Sequence, residues 1–217
     1  MRLPVFTSFI MIVLITNFAI RRSNAKARKD EENFWAKELK ANSTRRKSLD
    51  SLDYIAVPVD DLPFGLVPDN AEIDFCEKNI LRLKDQKIVN FTGITNTDLK
   101  LEYGAPNITL LTTYDQNYTT LVTMLQKWAA ELSDAGFYKE AVSVLEFAIS
   151  TKSDVTASYR LLCDLYKNKL ELSDFELKNK IRSILPIAES LNSLSKDNIV
   201  YTLNEYLGEI ELQKQTS

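Results

Sequence analysis

The longest uninterrupted run of apolar residues opens the chain. Residues 3–20 contain no charged side chain. At about 1.5 Å per residue a helix over this run reaches about 27 Å, roughly the thickness of the hydrocarbon layer of a bilayer. Five basic residues follow the run by position 29, whereas only Arg2 precedes it. The pattern therefore predicts an uncleaved single-pass transmembrane helix over 3–20 with the body in the cytoplasm. Because Ala25-Lys26-Ala27 has the form of a signal-peptidase site, a cleaved signal peptide stays the alternative.

The next segment, 21–48, is charged and rich in strong helix formers. No proline or glycine occurs between Val5 and Val57, so we expect the membrane helix to continue into a charged helical stalk. A thin stripe on one side of this stalk is expected to dock on the body; its members are Phe34, Trp35, Glu38, Leu39 and Asn42. The basic cluster 45–47 is interpreted as a solvated helix end, with anionic lipid contact as the alternative.

Residues 49–68 break the helical pattern. Pro58, Pro63 and Pro68 push their predecessors toward extended geometry. The segment is nevertheless apolar, and a free linker would be polar. We therefore predict that it lies across the helical body and buries its large side chains, which are Leu52, Tyr54, Ile55, Val57, Leu62, Phe64 and Leu66.

Residues 69–115 are expected to form the helical and irregular N-terminal part of the body. Asp69 is the predicted N-cap of a helix, and the face of that helix is Ile73, Cys76, Ile80 and Leu83. Cys76 is expected to be a core thiol. Residues 87–96 read as a loop or a short strand, and 98–103 as a helical turn ended by Gly104.

The strongest pattern lies in the segment 116–213. The large and small apolar residues of 122–148 match a helix–turn–helix hairpin with a turn at Gly136, and the repeat-core positions are Leu125, Trp128, Ala129, Leu132, Gly136, Tyr138, Ala141, Leu145 and Ala148. Advancing the first four by 34 residues gives Tyr159, Leu162, Cys163 and Tyr166. On these residues the chain resembles the tetratricopeptide-like superfamily over about 122–185, which implies stacked helical hairpins.

The partner helix of this second hairpin departs from the pattern. Leu170 and Arg182 stand where Gly136 and Ala148 stand in the first hairpin. We expect Pro186 to break or kink the chain and two further helices to follow over 187–194 and 198–212, the last one capping the stack. The predicted fold class is thus mainly α, with an N-terminal transmembrane helix and stalk before a hairpin-repeat domain.

The whole chain also resembles a group of uncharacterised single-pass membrane proteins of Gram-positive bacteria. The resemblance rests on the N-terminal anchor, the stretches ANSTRRKSLDSLDYIAVPVDDLP and FTGITNTDLKLEYG, and the tetratricopeptide-like tail. It implies an architecture and no activity.

Composition removes several classes of chemistry. With 217 residues, five scattered glycines, no histidine and two distant cysteines, the chain has no glycine-rich phosphate loop, no histidine-based catalysis and no thiolate zinc motif. Residues 1–29 hold six basic and no acidic residues, so the remainder holds 27 − 6 = 21 basic and 30 acidic residues. An acidic body argues against nucleic-acid binding. We expect no catalytic site, no cofactor and no metal.

The expected function is a membrane-anchored, tetratricopeptide-like module that binds a protein or peptide partner. Candidate groove residues are exposed positions of the first helices, such as Gln126, Lys127 and Glu131. The alternative is a structural subunit of a membrane complex or a self-associating protein. An exported protein and an enzyme are less favoured, and the sequence leaves the oligomeric state open.

Overall fold

The protein is mainly α-helical, as predicted. The computed structural model describes residues 3–216, with side chains for 10–208, and these residues are 71% helical without a strand. The eight α-helices in this range are α1 (Leu3–Ser43), α2 (Ala71–Leu83), α3 (Asn96–Tyr103), α4 (Ile108–Asp134), α5 (Tyr138–Ser150), α6 (Thr156–Asp164), α7 (Asp174–Glu189) and α8 (Lys196–Thr216). The chain divides into two compact units. The first unit is Met1–Ser48 with Thr95–Ile108, and the second is Leu49–Ile94 with Thr109–Ser217.

Helix α1 joins the predicted membrane segment to the predicted stalk without a break. It ends at Ser43, five residues before the predicted end of the stalk. The side chains of residues 3–9, which begin the predicted transmembrane helix, lie outside the described residues. Within the part of the chain that is described, no helix is long and apolar enough to cross a membrane. The transmembrane helix over 3–20 stays a prediction.

The first unit is held together by contacts between α1 and α3. Lys37 pairs with Asp98 at 2.7 Å, and Glu38 pairs with Lys100 at 3.3 Å and accepts a hydrogen bond from Thr97. The Thr97 hydroxyl is the main cause that lowers the pKa of the Glu38 carboxyl. Ala41 is fully buried, and its small side chain allows close approach of the two helices.

The predicted docking stripe on α1 is wrong in its register. Phe34, Trp35 and Leu39 remain 54%, 61% and 74% exposed. Glu38 is the member of the predicted stripe that contacts α3, and Lys37 and Ala41 complete that face. Ion pairs and a small residue fit α3, which itself buries one side chain, Leu99.

A glycine completes this unit. Gly104 ends α3 with a φ of 94°, and a Cβ there would lie 2.2 Å from the Arg45 carbonyl oxygen. The same approach lets the Lys47 ammonium donate to the Leu101 carbonyl at 3.1 Å. The basic cluster 45–47 therefore lies after the end of α1. Lys47 supplies a hydrogen-bond donor to a backbone carbonyl in the last turn of α3.

The second unit is a set of packed helices with one main hydrophobic core. Helices α4 and α5 are joined by a turn in which Gly136 has a φ of 85°. Helix α5 packs on α6 and α7, and α8 packs on α6 and α7 in turn. The fully buried positions include ten of the predicted repeat-core residues, namely Leu125, Trp128, Ala129, Leu132, Ala141, Leu145, Ala148, Tyr159, Leu162 and Tyr166. Tyr138 is half-buried.

Two expectations for the end of the chain are wrong. Pro186 lies inside α7, which continues to Glu189, so no separate helix forms over 187–194. The proline is tolerated because it lies in the last turn of α7 and is exposed. It leaves the Arg182 carbonyl without an intrahelical partner, but Arg182 is exposed as well. A π-helical segment, Leu165–Lys169, extends α6.

Helix α2 begins one residue later than predicted. The N-cap is Asn70, not Asp69, and its side-chain oxygen accepts hydrogen bonds from the backbone N–H groups of Glu72 and Ile73 at 3.0 and 3.1 Å. The predicted apolar face is confirmed. Ile73, Cys76, Ile80 and Leu83 are all buried.

The proline-punctuated segment lies on the helices of the second unit, as predicted. Leu52, Val57 and Leu62 are buried, and the last two belong to the main core cluster. The Phe64 ring lies 4.8 Å from the Trp128 ring on α4, the Tyr54 ring 5.9 Å from the Tyr114 ring, and the Ile55 N–H donates to the Ile88 carbonyl at 2.9 Å. Leu66 is the exception, since it is 42% exposed.

This packing predicts that the segment stabilises the helical unit. Leu62→Ala removes a side chain that is 8% exposed and should lower the free energy of unfolding by about 2–5 kcal/mol. Leu66→Ala, in the same segment, should lower it by less than about 0.5 kcal/mol, because that side chain is largely solvated. Urea unfolding followed by circular dichroism measures both. Equal midpoints for the two variants would contradict the packing role.

Candidate functional site

The second unit has a polar cleft at one end of its helices. It opens where the irregular segment 87–96 meets the α5–α6 and α7–α8 connections. A cavity of about 390 Å³ and an adjoining one of about 770 Å³ share Thr92, Leu191 and Asn192 in their lining. The smaller cavity is otherwise lined by Asp53, Ile55, Asn90, Phe147, Ser150, Thr151, Lys152 and Ser190.

Asn90 connects the segments that form the floor of the cleft by hydrogen bonds. Its side-chain N–H₂ group contacts the Tyr118 hydroxyl at 2.9 Å and the carbonyls of Thr151 and Lys152 at 3.2 and 3.1 Å. Its side-chain oxygen accepts from the Thr92 N–H at 2.9 Å. These bonds join segment 87–96 to the end of α5. The sequence pattern of this segment, which is that of a loop, does not predict such a contact.

Tyr118 supports the same network from α4. Its hydroxyl donates to the Thr151 carbonyl at 3.2 Å. Burial raises the pKa of Tyr118 to about 12, so the phenol stays protonated at neutral pH and keeps its role as donor. Tyr159 makes a similar contact, because its hydroxyl donates to the Ser153 carbonyl at 2.9 Å. These buried phenols hold the α5–α6 connection in place.

The rim of the cleft depends on a glycine. Gly93 has a φ of 77°, and a Cβ there would lie 1.9 Å from the Asn192 carbonyl oxygen. The Asn192 side-chain N–H donates to the Gly93 carbonyl at 3.0 Å, and the Ser193 hydroxyl donates to Asp154. Segment 87–96 and the α7–α8 connection therefore meet backbone to backbone.

The lining is suited to binding by hydrogen bonds rather than to proton transfer. The smaller cavity contains one acidic and one basic residue, Asp53 and Lys152, and both are exposed. Its other polar side chains are hydroxyls and amides. The hydroxyls of Ser150, Thr151 and Ser190 donate to nearby backbone carbonyls, which leaves their oxygens as acceptors. Such a near-neutral lining can accept hydrogen bonds from the N–H groups of an extended polypeptide.

The candidate groove residues on α4 lie beside α2. Lys127 pairs with Glu72 of α2 and lies 5.3 Å from the centre of the Phe75 ring, and Gln126 and Glu131 are half-buried. Helix α2 therefore contacts part of the face where a groove is expected, and the groove stays a prediction.

The two thiols are core residues. Cys76 and Cys163 are fully buried, and burial raises their pKa values to about 11 and about 12. Both thiols therefore stay protonated at neutral pH. Among the described residues, no group of three or more Cys, Asp or Glu side chains could hold a metal ion.

Comparison with known proteins finds no match to a family model, to a curated protein or to a solved structure. The tetratricopeptide-like hairpins and the wider family resemblance stay predictions from the sequence.

The Asn90 network predicts a measurable stability effect. Asn90→Ala leaves the Tyr118 hydroxyl and two backbone carbonyls with fewer partners and should lower the free energy of unfolding by about 1–3 kcal/mol. Asn204→Ala, at an exposed position of α8, should change it by less than about 0.5 kcal/mol. Thermal unfolding of both variants tests the difference. If Asn90→Ala melts with the parent protein, the network does not hold the cleft.

Proposed function

We propose that this protein is a bacterial, membrane-anchored, tetratricopeptide-like interaction module whose polar cleft binds an extended segment of a protein partner. The observation that carries the proposal is the cleft itself. It is open, nearly neutral and rich in hydroxyl and amide groups, and its walls are connections held by buried hydrogen bonds. A rigid scaffold that presents loops in this way is typical of binding sites.

The proposal includes no catalytic activity, cofactor or nucleic-acid ligand. Neither thiol is available as a nucleophile, because both are buried and protonated. The body carries a net charge of −9 beyond position 29, which disfavours phosphate backbones and favours a partner of basic character.

A site-specific photo-cross-linking residue tests the cleft. At Ser150, an exposed residue of the lining, it should trap a discrete partner in growing cells. The control is Lys139, which is exposed on the same helix, about 16 Å away along its axis. A product from Ser150 and none from Lys139 supports the proposal. No product at Ser150, or the same product from both positions, contradicts it.

The second part of the proposal places 3–20 in the membrane and the body in the cytoplasm. In Ser217→Cys, a membrane-impermeant maleimide should leave intact cells unlabelled and label permeabilised cells, because the buried native thiols do not compete. Labelling in intact cells, or a mature N-terminus near Arg28, would instead indicate an exported protein.

A structural subunit of a membrane complex is the second candidate function. Phe34, Trp35 and Leu39 favour it, because these large apolar side chains of α1 are more than half exposed. Exposed aromatic residues of this kind are enriched in protein interfaces.

A further inference from the structure

The outer face of α4 is unusual because it carries no charge. Between 108 and 126 the only charged residue is Asp115, which is half-buried, although 26% of the chain is charged. Solvated helix faces normally carry charged residues. The exposed members of this face, which we call the threonine face, are Thr109, Thr112, Thr113, Gln116, Thr119, Thr120 and Thr123.

The hydroxyls of this face are largely engaged within α4. Thr113, Thr119, Thr120 and Thr123 each donate to the carbonyl four residues earlier, at 3.1, 3.1, 2.9 and 2.7 Å. Their methyl groups remain for contact with a partner. Threonine is also stiff at χ1, so ordering these side chains at an interface loses little entropy. Removing water from this face therefore costs little free energy.

The sequence of this segment has twofold symmetry. Residues 109–123 read TLLTTYDQNYTTLVT, which is the same in both directions about Gln116 except at 110/122 and 115/117. The inner half of the palindrome, with Leu111, Tyr114, Tyr118 and Leu121, is buried in the protein. The fold does not require symmetry in the outer half, where Thr109 mirrors Thr123, Thr112 mirrors Thr120 and Thr113 mirrors Thr119.

We infer that the threonine face binds a second copy of this chain, with the two α4 helices antiparallel and a twofold axis at Gln116. In an isologous dimer each residue i faces a residue j of the partner and j faces i. Antiparallel pairing about position 116 therefore sets every threonine against a threonine. The Gln116 side chain meets its own copy, and because an amide has both donors and acceptors, the two can bond reciprocally.

The chemistry of the face favours a second copy over a charged partner. A charged side chain docked here would lose hydration against a surface that offers no opposite charge. Another threonine face is uncharged and matches in length. The seam has seven exposed residues on each helix and spans about 21 Å. A standard interface has about 20–30 residues a side, so this dimer is weak and reversible. None of these residues lines the polar cleft, and the inference does not depend on the proposed partner.

Disulfide trapping of the full-length protein in its membrane fraction tests the symmetry. Gln116→Cys places two thiols on the twofold axis, where a disulfide can form. On mild oxidation it should give covalent dimer on the order of tenfold faster than Asn204→Cys, an exposed amide position on α8. The native thiols are buried and do not compete. Equal rates for the two variants would overturn the inference.

A second pair of variants distinguishes the antiparallel arrangement. Thr112→Cys should cross-link with Thr120→Cys when the two proteins are mixed, because these positions face each other across the axis. Thr112→Cys alone should react about as slowly as Asn204→Cys, since its own copy lies about 12 Å further along the seam, beyond disulfide reach. Fast self-cross-linking of Thr112→Cys would indicate a parallel or non-specific contact and contradict the symmetric dimer.

Discussion

The second unit depends on the burial of Trp128 on α4. The indole is fully buried, and the Phe64 ring from the extended segment lies against it. Among the residues that the structure describes, the Trp128 Nε1–H meets no hydrogen-bond acceptor, which costs about 1–3 kcal/mol. Burial of so large a ring against its neighbours offsets that cost. The extended segment and α2 both contact α4 and cover part of it.

The cover and the cleft both involve α4. Helix α2 is joined to α4 by the Lys127–Glu72 ion pair. The cleft forms at the helix ends, where Asn90 reaches from segment 87–96 to the end of α5. Tyr118 links this network to α4, so the cleft and the core share one helix. The cleft and the stability of the helical unit are therefore physically coupled.

Two other surfaces differ from the acidic body. Phe34, Trp35 and Leu39 are exposed apolar residues on α1, and the threonine face is an uncharged strip on α4. The threonine face lacks the charge that keeps ordinary helix faces solvated, whereas the apolar residues of α1 lie among charged neighbours such as Glu31 and Glu32. Protein interfaces are depleted of charge at their centres and enriched in aromatic residues, so the threonine face meets the first criterion and Phe34 and Trp35 meet the second. Their symmetry differs, because only the threonine face repeats itself about a central residue.

The sequence by itself determined the helical class, most of the helix cores and the burial of the proline-punctuated segment. These follow from local periodicity: Ile73, Cys76, Ile80 and Leu83 lie on one face of any helix through them. Only the tertiary structure decided which surfaces meet. It placed Ala41 rather than Trp35 against α3, covered Lys127 with α2, and brought Asn90 to Thr151, 61 positions away. A period shows that a face is apolar, but contacts between distant segments depend on how whole elements pack, and no local pattern encodes that.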